Sequence, residues 1–211
     1  MIRVKICGLT REEDVDLAVE AGADAVGFVS GFPESPRSIS VERAGELIRR
    51  VPPFVDSVLV ARAELVESNM ERIARIGPSA IQLYGRTLDP VALKEKLGVK
   101  LILPQAMGGR RIGAGVAAGY DAMLADTYAE GAAGGTGRTS DWEECRRLRD
   151  LISPLPFILS GGLQPDNVVE AISRVRPYAV DVSSGVESSP GVKDPSKVIA
   201  FVAGAKGKQV G

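Results

Sequence analysis

Short apolar runs alternate with helical patterns from one end of the chain to the other. The runs are Val4–Cys7, Ala25–Val29, Ser57–Ala61, Ala80–Tyr84, Leu101–Gln105, Ala122–Asp126, Phe157–Ser160 and Ala179–Val182. Most are rich in Val, Ile or Leu and lack the strict polar alternation of a half-solvated sheet. Such runs suit parallel strands buried on both faces, although periodicity alone does not separate them from buried helix.

Helical segments are expected between the runs. Thr10 followed by Glu13 has the spacing of a capping box and opens a helix to about Glu20, stopped by Ala21-Gly22. Ser40-Val41-Glu42-Arg43 opens a second helix, which ends before Pro52-Pro53. Ala63 to Ile76 and Leu88 to Leu97 read as the third and fourth. The glycine-rich stretch after Gln105 predicts a short or irregular fifth. Asp141 caps a sixth helix, Gln164-Pro165-Asp166-Asn167 opens a seventh, and Asp194-Pro195-Ser196 opens the last with proline in its first turn.

Strict alternation of eight strands with about eight helices predicts a parallel sheet with helical crossovers. The α/β fold expected is a (β/α)8 TIM barrel, a single domain spanning residues 1–211. The competing architecture is an open, doubly wound sheet.

Composition narrows the function. The net charge of −1 offers no basic field for nucleic acid. No apolar run approaches the roughly 18 residues that span a bilayer, and the N-terminus lacks a signal-peptide layout. The expectation is a cytoplasmic protein with no membrane or nucleic-acid partner. The chain has two cysteines and no histidine. That excludes imidazole metal sites and Ser-His-Asp or Cys-His catalysis, and leaves proton transfer to Asp, Glu, Cys, Lys or Tyr.

In a (β/α)8 barrel the site forms where the strands end at their C-terminal rim. Those ends carry Cys7, Arg37 in a proline-flanked loop, Asp126, the turn Ser160-Gly161-Gly162, and Asp181 ahead of Ser183-Ser184-Gly185. The glycine turns after the seventh and eighth strands suit phosphate, because backbone N–H groups approach an anion closely there; read blandly, they are tight connections. Cys7 is a candidate base or an inert small hydrophobe. Asp126 is an acid whose pKa burial would raise, or a structural acceptor. Asp181 reads as a polar substrate contact. Arg37 suits bidentate capture of a carboxylate or phosphate, or is a solvated loop residue. Cys145 reads as helix packing. The glycine-rich stretch Gly131 to Gly137 reads as a lid, or as a flexible loop without a role.

These motifs, in order and along the whole chain, resemble the phosphoribosylanthranilate isomerase family. Lys5-Ile6-Cys7-Gly8-Leu9-Thr10 resembles its opening signature, and Gly134-Gly135-Thr136-Gly137-Arg138 with Asp141-Trp142 its loop after strand six. Leu159-Ser160-Gly161-Gly162-Leu163 resembles its seventh unit. Val180-Asp181-Val182-Ser183-Ser184-Gly185-Val186-Glu187 and Pro190-Gly191-Val192-Lys193-Asp194 resemble its eighth. The resemblance implies a (β/α)8 barrel that catalyses an Amadori rearrangement of a phosphosugar-anthranilate. Cys7 is the implied general base, Asp126 the general acid and Arg37 the contact for the anthranilate carboxylate. The implied phosphate turns are Gly161, Gly162, Ser183, Ser184 and Gly185. No metal or organic cofactor is implied, and the chain is expected as a monomer or homodimer. Four features depart from the family pattern: Tyr84 where histidine is usual, Arg86-Thr87 for an acidic pair, Gln105 near a common lysine, and the small Ala125. The alternatives are a histidine-pathway phosphosugar isomerase, which Cys7 argues against, and a binding barrel that has lost catalysis.

Overall fold

The computed structural model describes residues 2–85, 89–107, 117–126 and 141–207. Eight parallel strands close into one barrel in chain order. They are β1 (Arg3–Ile6), β2 (Ala25–Ser30), β3 (Asp56–Arg62), β4 (Ala80–Tyr84), β5 (Lys100–Ala106), β6 (Ala122–Asp126), β7 (Phe157–Leu159) and β8 (Ala179–Val182). Closure runs through β1 against β8, from Arg3↔Ala179 to Ile6↔Val182. The open doubly wound alternative is therefore excluded.

The two faces of each strand have separate fates. Val58, Ala80, Ile102, Ala122, Leu124, Ile158 and Ala179 form one apolar cluster drawn only from strands. This is the plug inside the barrel, and its alanines suit the narrow interior of eight strands. The alternate strand positions, such as Phe28, Leu59, Ile81 and Met123, join the helices in the larger core. Burial on both faces explains why the strand sequences do not alternate in polarity.

The helices are α1 (Glu12–Glu20), α2 (Val41–Ile48), α3 (Ala63–Ser68), α4 (Met70–Ile76), α5 (Pro90–Leu97), α6 (Trp142–Ile152), α7 (Val168–Val175) and α8 (Pro195–Lys206). Ser40, Asp89, Asp141 and Asp194 accept first-turn N–H bonds as N-caps, each worth about 1 kcal/mol.

Three local expectations are corrected. The Thr10–Glu13 capping box does not form: Arg11 is the N-cap without a side-chain bond, and Thr10 Oγ1 donates to Gly191 O at 2.9 Å. The single helix expected over Ala63 to Ile76 divides at Asn69, whose Nδ2 donates to Leu65 O at 3.0 Å. Asparagine competes here with the helix for a main-chain carbonyl. After β8, a 3-10 turn over Ser184–Val186 leads into an antiparallel ribbon of β9 (Glu187–Ser189) and β10 (Val192–Lys193). No strand had been expected there, although Pro190-Gly191 between short runs is a hairpin signal.

Candidate active site

Above the apolar plug, the next inward positions are polar. Lys5 is 3% exposed, Gln82 3% and Asp181 6%. A charge this deep requires a partner. Lys5 Nζ donates to Asp181 Oδ1 at 2.8 Å and to Gln82 Oε1 at 3.3 Å. Ser160 Oγ donates to the other Asp181 oxygen at 3.2 Å, and Gln82 Nε2 donates to Tyr84 Oη at 3.1 Å. Asp181 is thus committed on both oxygens, to Lys5 and to Ser160. Burial is the largest single influence and lowers the Lys5 pKa, but the charges and hydrogen bonds of Asp181 and Cys7 together outweigh it and leave the ammonium above its ordinary value.

Cys7 follows β1 by one residue and stays tied to the sheet, with its N–H donating to Val182 O at 2.8 Å. It packs beside Phe32, Val60, Val29 and Tyr84. Burial pushes its thiol pKa up; Lys5 pulls against that rise, and Lys193 pulls less. Asp181 adds to the rise. The resting side chain is a thiol. Gly27 makes room for this pair. A Cβ there would lie 2.8 Å from Cys7 Sγ and 3.0 Å from Lys5 Cε.

Arg37 is buried, and its loop position gives no hint of its partner. Its Nε and Nη2 donate to the two oxygens of Glu187 at 2.8 and 2.7 Å. Lys193 Nζ donates to Glu187 Oε1 at 2.9 Å and to Ser183 O at 3.1 Å. The Glu187 carboxyl is pushed up by burial, but Arg37 and Lys193 outweigh that and hold it below the usual carboxylate value. Arg37 also passes over Gly8, where a Cβ would meet Arg37 Cδ at 2.6 Å and Ser183 Oγ at 2.8 Å. The Arg37 side chain thereby runs beside the residue that follows Cys7. Phe32 and Tyr84 meet edge to face at 5.4 Å, and Arg62 covers Phe32. Glu187 and Lys193 entered the sequence reading only as parts of a resembling motif. The hairpin signal was what could have placed them near the mouth.

The two glycine turns stand together. Gly161 and Gly162 both have left-handed backbone, with φ of 90° and 67°. Among the described residues no backbone carbonyl accepts from either N–H. Asn167 braces the turn: its Nδ2 donates to Gly162 O at 3.0 Å, and its Oδ1 accepts from Gln164 N at 2.8 Å. Gly185 belongs to the neighbouring turn with Ser183 and Ser184, and a Cβ on it would stand 1.9 Å from Leu163 O. Gly185→Ala therefore forces the two turns apart. The expected cost is about 1–3 kcal/mol of stability, as for overpacking elsewhere; a denaturant midpoint equal to the parent's would show that no such contact exists.

Asp126 closes β6, paired in register with Ala106, and shares the parity of Ala122 and Leu124. Its side chain lies outside the described part, as do the loop at 131–138 and residues 86–88. Gln105 takes the parity of Leu101 and Leu103, away from the barrel interior. It is buried, with Nε2 donating to Ala106 O at 2.7 Å.

The same architecture recurs among known proteins. The family described as N-(5'phosphoribosyl)anthranilate (PRA) isomerase matches residues 4–204. The N-(5'-phosphoribosyl)anthranilate isomerase of Haloferax volcanii is 43% identical over 208 residues, covering 98% of this chain and 94% of its own. The crystal structure of phosphoribosyl anthranilate isomerase from Thermotoga maritima superposes with a TM-score of 0.82 at 41% identity, covering 98% of this chain and 100% of its own. A further crystal structure of this isomerase holds reduced 1-(o-carboxyphenylamino)-1-deoxyribulose 5-phosphate. It gives a TM-score of 0.77 at 38% identity, covering 98% of this chain and 100% of its own. With sequence and barrel matched almost end to end, the chain belongs to the N-(5'-phosphoribosyl)anthranilate isomerase family.

Proposed function

We propose that the chain acts as one catalytic barrel on N-(5-phospho-D-ribosyl)anthranilate, converting it to 1-(2-carboxyphenylamino)-1-deoxy-D-ribulose 5-phosphate, with Cys7 as general base and Asp126 as general acid. The observation that carries this is the thiol of Cys7 beside the buried Lys5, with Arg37 fixed over the adjacent Gly8 at the same rim. A relative of this fold holds the reduced product.

The chemistry follows from those groups. Protonated Asp126 donates to the furanose ring oxygen. The anilino nitrogen lone pair forms C1=N as the C1–O bond breaks, giving a cationic imine. That cation acidifies the C2 proton, which the Cys7 thiolate removes. The C–H electrons form C1=C2 and the imine electrons return to nitrogen. The resulting enolamine takes a proton at C1, and its C2 hydroxyl becomes the ketone. Atoms and charge balance without a redox partner. Arg37 holds the aryl carboxylate. Gly161, Gly162, Ser183, Ser184 and Gly185 hold the phosphate through main-chain N–H groups and hydroxyls. Asp181 is the polar contact at the floor, already fixed by Lys5 and Ser160.

Freshly prepared substrate fluoresces, and rearrangement removes that signal. Addition of the protein is expected to extinguish it catalytically, with the aminodeoxyribulose phosphate as product. Folded protein that leaves the signal unchanged, yet isomerises the related histidine-pathway phosphosugar, would overturn the assignment. Folded protein that binds the reduced product without turning over either substrate would mark a binding barrel.

A further inference from the structure

We infer that Glu187 and Lys193 are positioning residues for Arg37. They hold the outer fork of its guanidinium ready for the substrate's aryl carboxylate, and so set the preference for a carboxylated aniline over an uncharged one. This rests on reading Arg37 as the carboxylate contact.

Arg37 leaves a loop between Pro36 and Ser38, and a free arginine there would sample many rotamers. Glu187 removes that freedom with two short bonds, both to one side of the guanidinium. A guanidinium has five N–H groups in a fixed plane. The Glu187 fork uses Nε–H and one Nη2–H. The other Nη2–H and both Nη1–H groups remain, and these form the end-on fork that fits a second carboxylate. Among the described residues none accepts a bond from Nη1.

A second carboxylate would be repelled by Glu187 if the Arg37–Glu187 pair stood alone. Lys193 removes that penalty. Its amine is fully buried and touches the same Glu187 oxygen at 2.9 Å. Burial lowers the Lys193 pKa and Glu187 pulls against that fall; with the amine protonated, two cations and one anion leave a net charge of +1, which an incoming carboxylate neutralises. The two residues sit on a fastened mount. Lys197 Nζ donates to Glu187 O at 2.9 Å, Lys193 N to Asp14 Oδ2 at 3.2 Å, and Thr10 Oγ1 to Gly191 O at 2.9 Å. The β9–β10 ribbon is pinned to α1 and α8, so Glu187 is a fixed reference for Arg37.

Position and charge are separable by substitution. Glu187→Asp keeps the charge but withdraws the carboxylate by one methylene, which breaks the two-point fork. Lys193→Met keeps the fork and removes the compensating charge. The probes are the reduced product and its analogue lacking the ring carboxylate, titrated by calorimetry into the whole protein. The parent is expected to prefer the carboxylated ligand by about ten- to 100-fold, the worth of a charge-assisted hydrogen bond. Each variant is expected to lose about tenfold of that preference, while the affinity for the uncharged analogue stays within about twofold. Equal weakening of both ligands would assign Glu187 and Lys193 a structural role only and overturn the inference. Full preference in either folded variant would also overturn it. Should Glu187→Asp not fold, Lys193→Met decides alone. Arg37→Lys separates the layers. If it abolishes the preference while the other two do not, Arg37 binds the carboxylate without these partners. If it too leaves the preference intact, the reading of Arg37 fails.

Discussion

Cys7→Ser and Asp126→Asn are each expected to lower kcat by about 100- to 10,000-fold, the usual contribution of a positioned acid or base, with KM little changed. Serine is too weak a base for the C2 proton, and asparagine has no acidic proton for the ring oxygen. The pH dependence carries a further signature. Burial raises the Cys7 pKa above its ordinary value of 9.0. The reaction needs Cys7 deprotonated and Asp126 protonated, the reverse of their ordinary order. Between the two pKa values this arrangement is a constant minor fraction of the enzyme. Above the higher one the acid's proton is lost from that fraction as well. The rate kcat/KM is therefore expected to be flat across neutral pH and to fall on an alkaline limb above 9.0, with apparent values that belong to the pair. Thiolate absorbance of the resting enzyme should rise over the same alkaline range, and Cys7→Ser should remove that rise. Full turnover after Cys7→Ser would reject the thiol as base, and a thiolate signal already complete at neutral pH would reject the raised pKa.

Much of the barrel was legible because its strands are buried on both faces. The runs Ala80–Tyr84, Ala122–Asp126 and Ala179–Val182 coincide with β4, β6 and β8 to the residue. Boundaries slipped where a polar end stays bonded to the sheet: Asp56 and Arg62 extend β3 beyond its apolar run. The capping-box motif failed because Thr10 found a partner 181 positions away, which local spacing cannot report. Site residues on strand ends were legible as candidates, since barrel topology alone brings such ends to one rim. Their pairings were not. Lys5 and Asp181 are 176 positions apart and meet only because β8 closes against β1. Arg37 and Glu187 are 150 apart, and both lie outside the barrel strands. A loop arginine and a ribbon glutamate carry no periodic signal, so the ion pair that defines Arg37 emerges only from tertiary structure.

The closed pairing of β1 with β8 makes Lys5→Met the substitution with the largest expected effect on stability. Lys5 and Asp181 have side chains 4% and 7% exposed, and removing one member of such a pair leaves an uncompensated buried charge. The expected loss is about 3–5 kcal/mol. Its sign with pH follows from linkage. The Lys5 pKa is raised in the folded state, so its contribution is fully present below the unfolded value of 10.5 and is lost as pH rises through the folded one. Near neutral pH the whole deficit should be measurable as a shifted denaturant midpoint. The second consequence is catalytic. Lys5 restrains the rise of the Cys7 pKa, so its removal should move thiolate formation to still higher pH. Lys5→Met combined with Asp181→Asn separates the two effects. The double variant is expected to recover most of the lost stability, since no bare charge remains, while staying slower than the parent because the ammonium beside the thiol is gone. Recovery of both stability and rate would show that Lys5 serves the fold alone. A single variant as stable as the parent would show that the buried pair contributes nothing net to folding, as replacing both partners together does in some proteins.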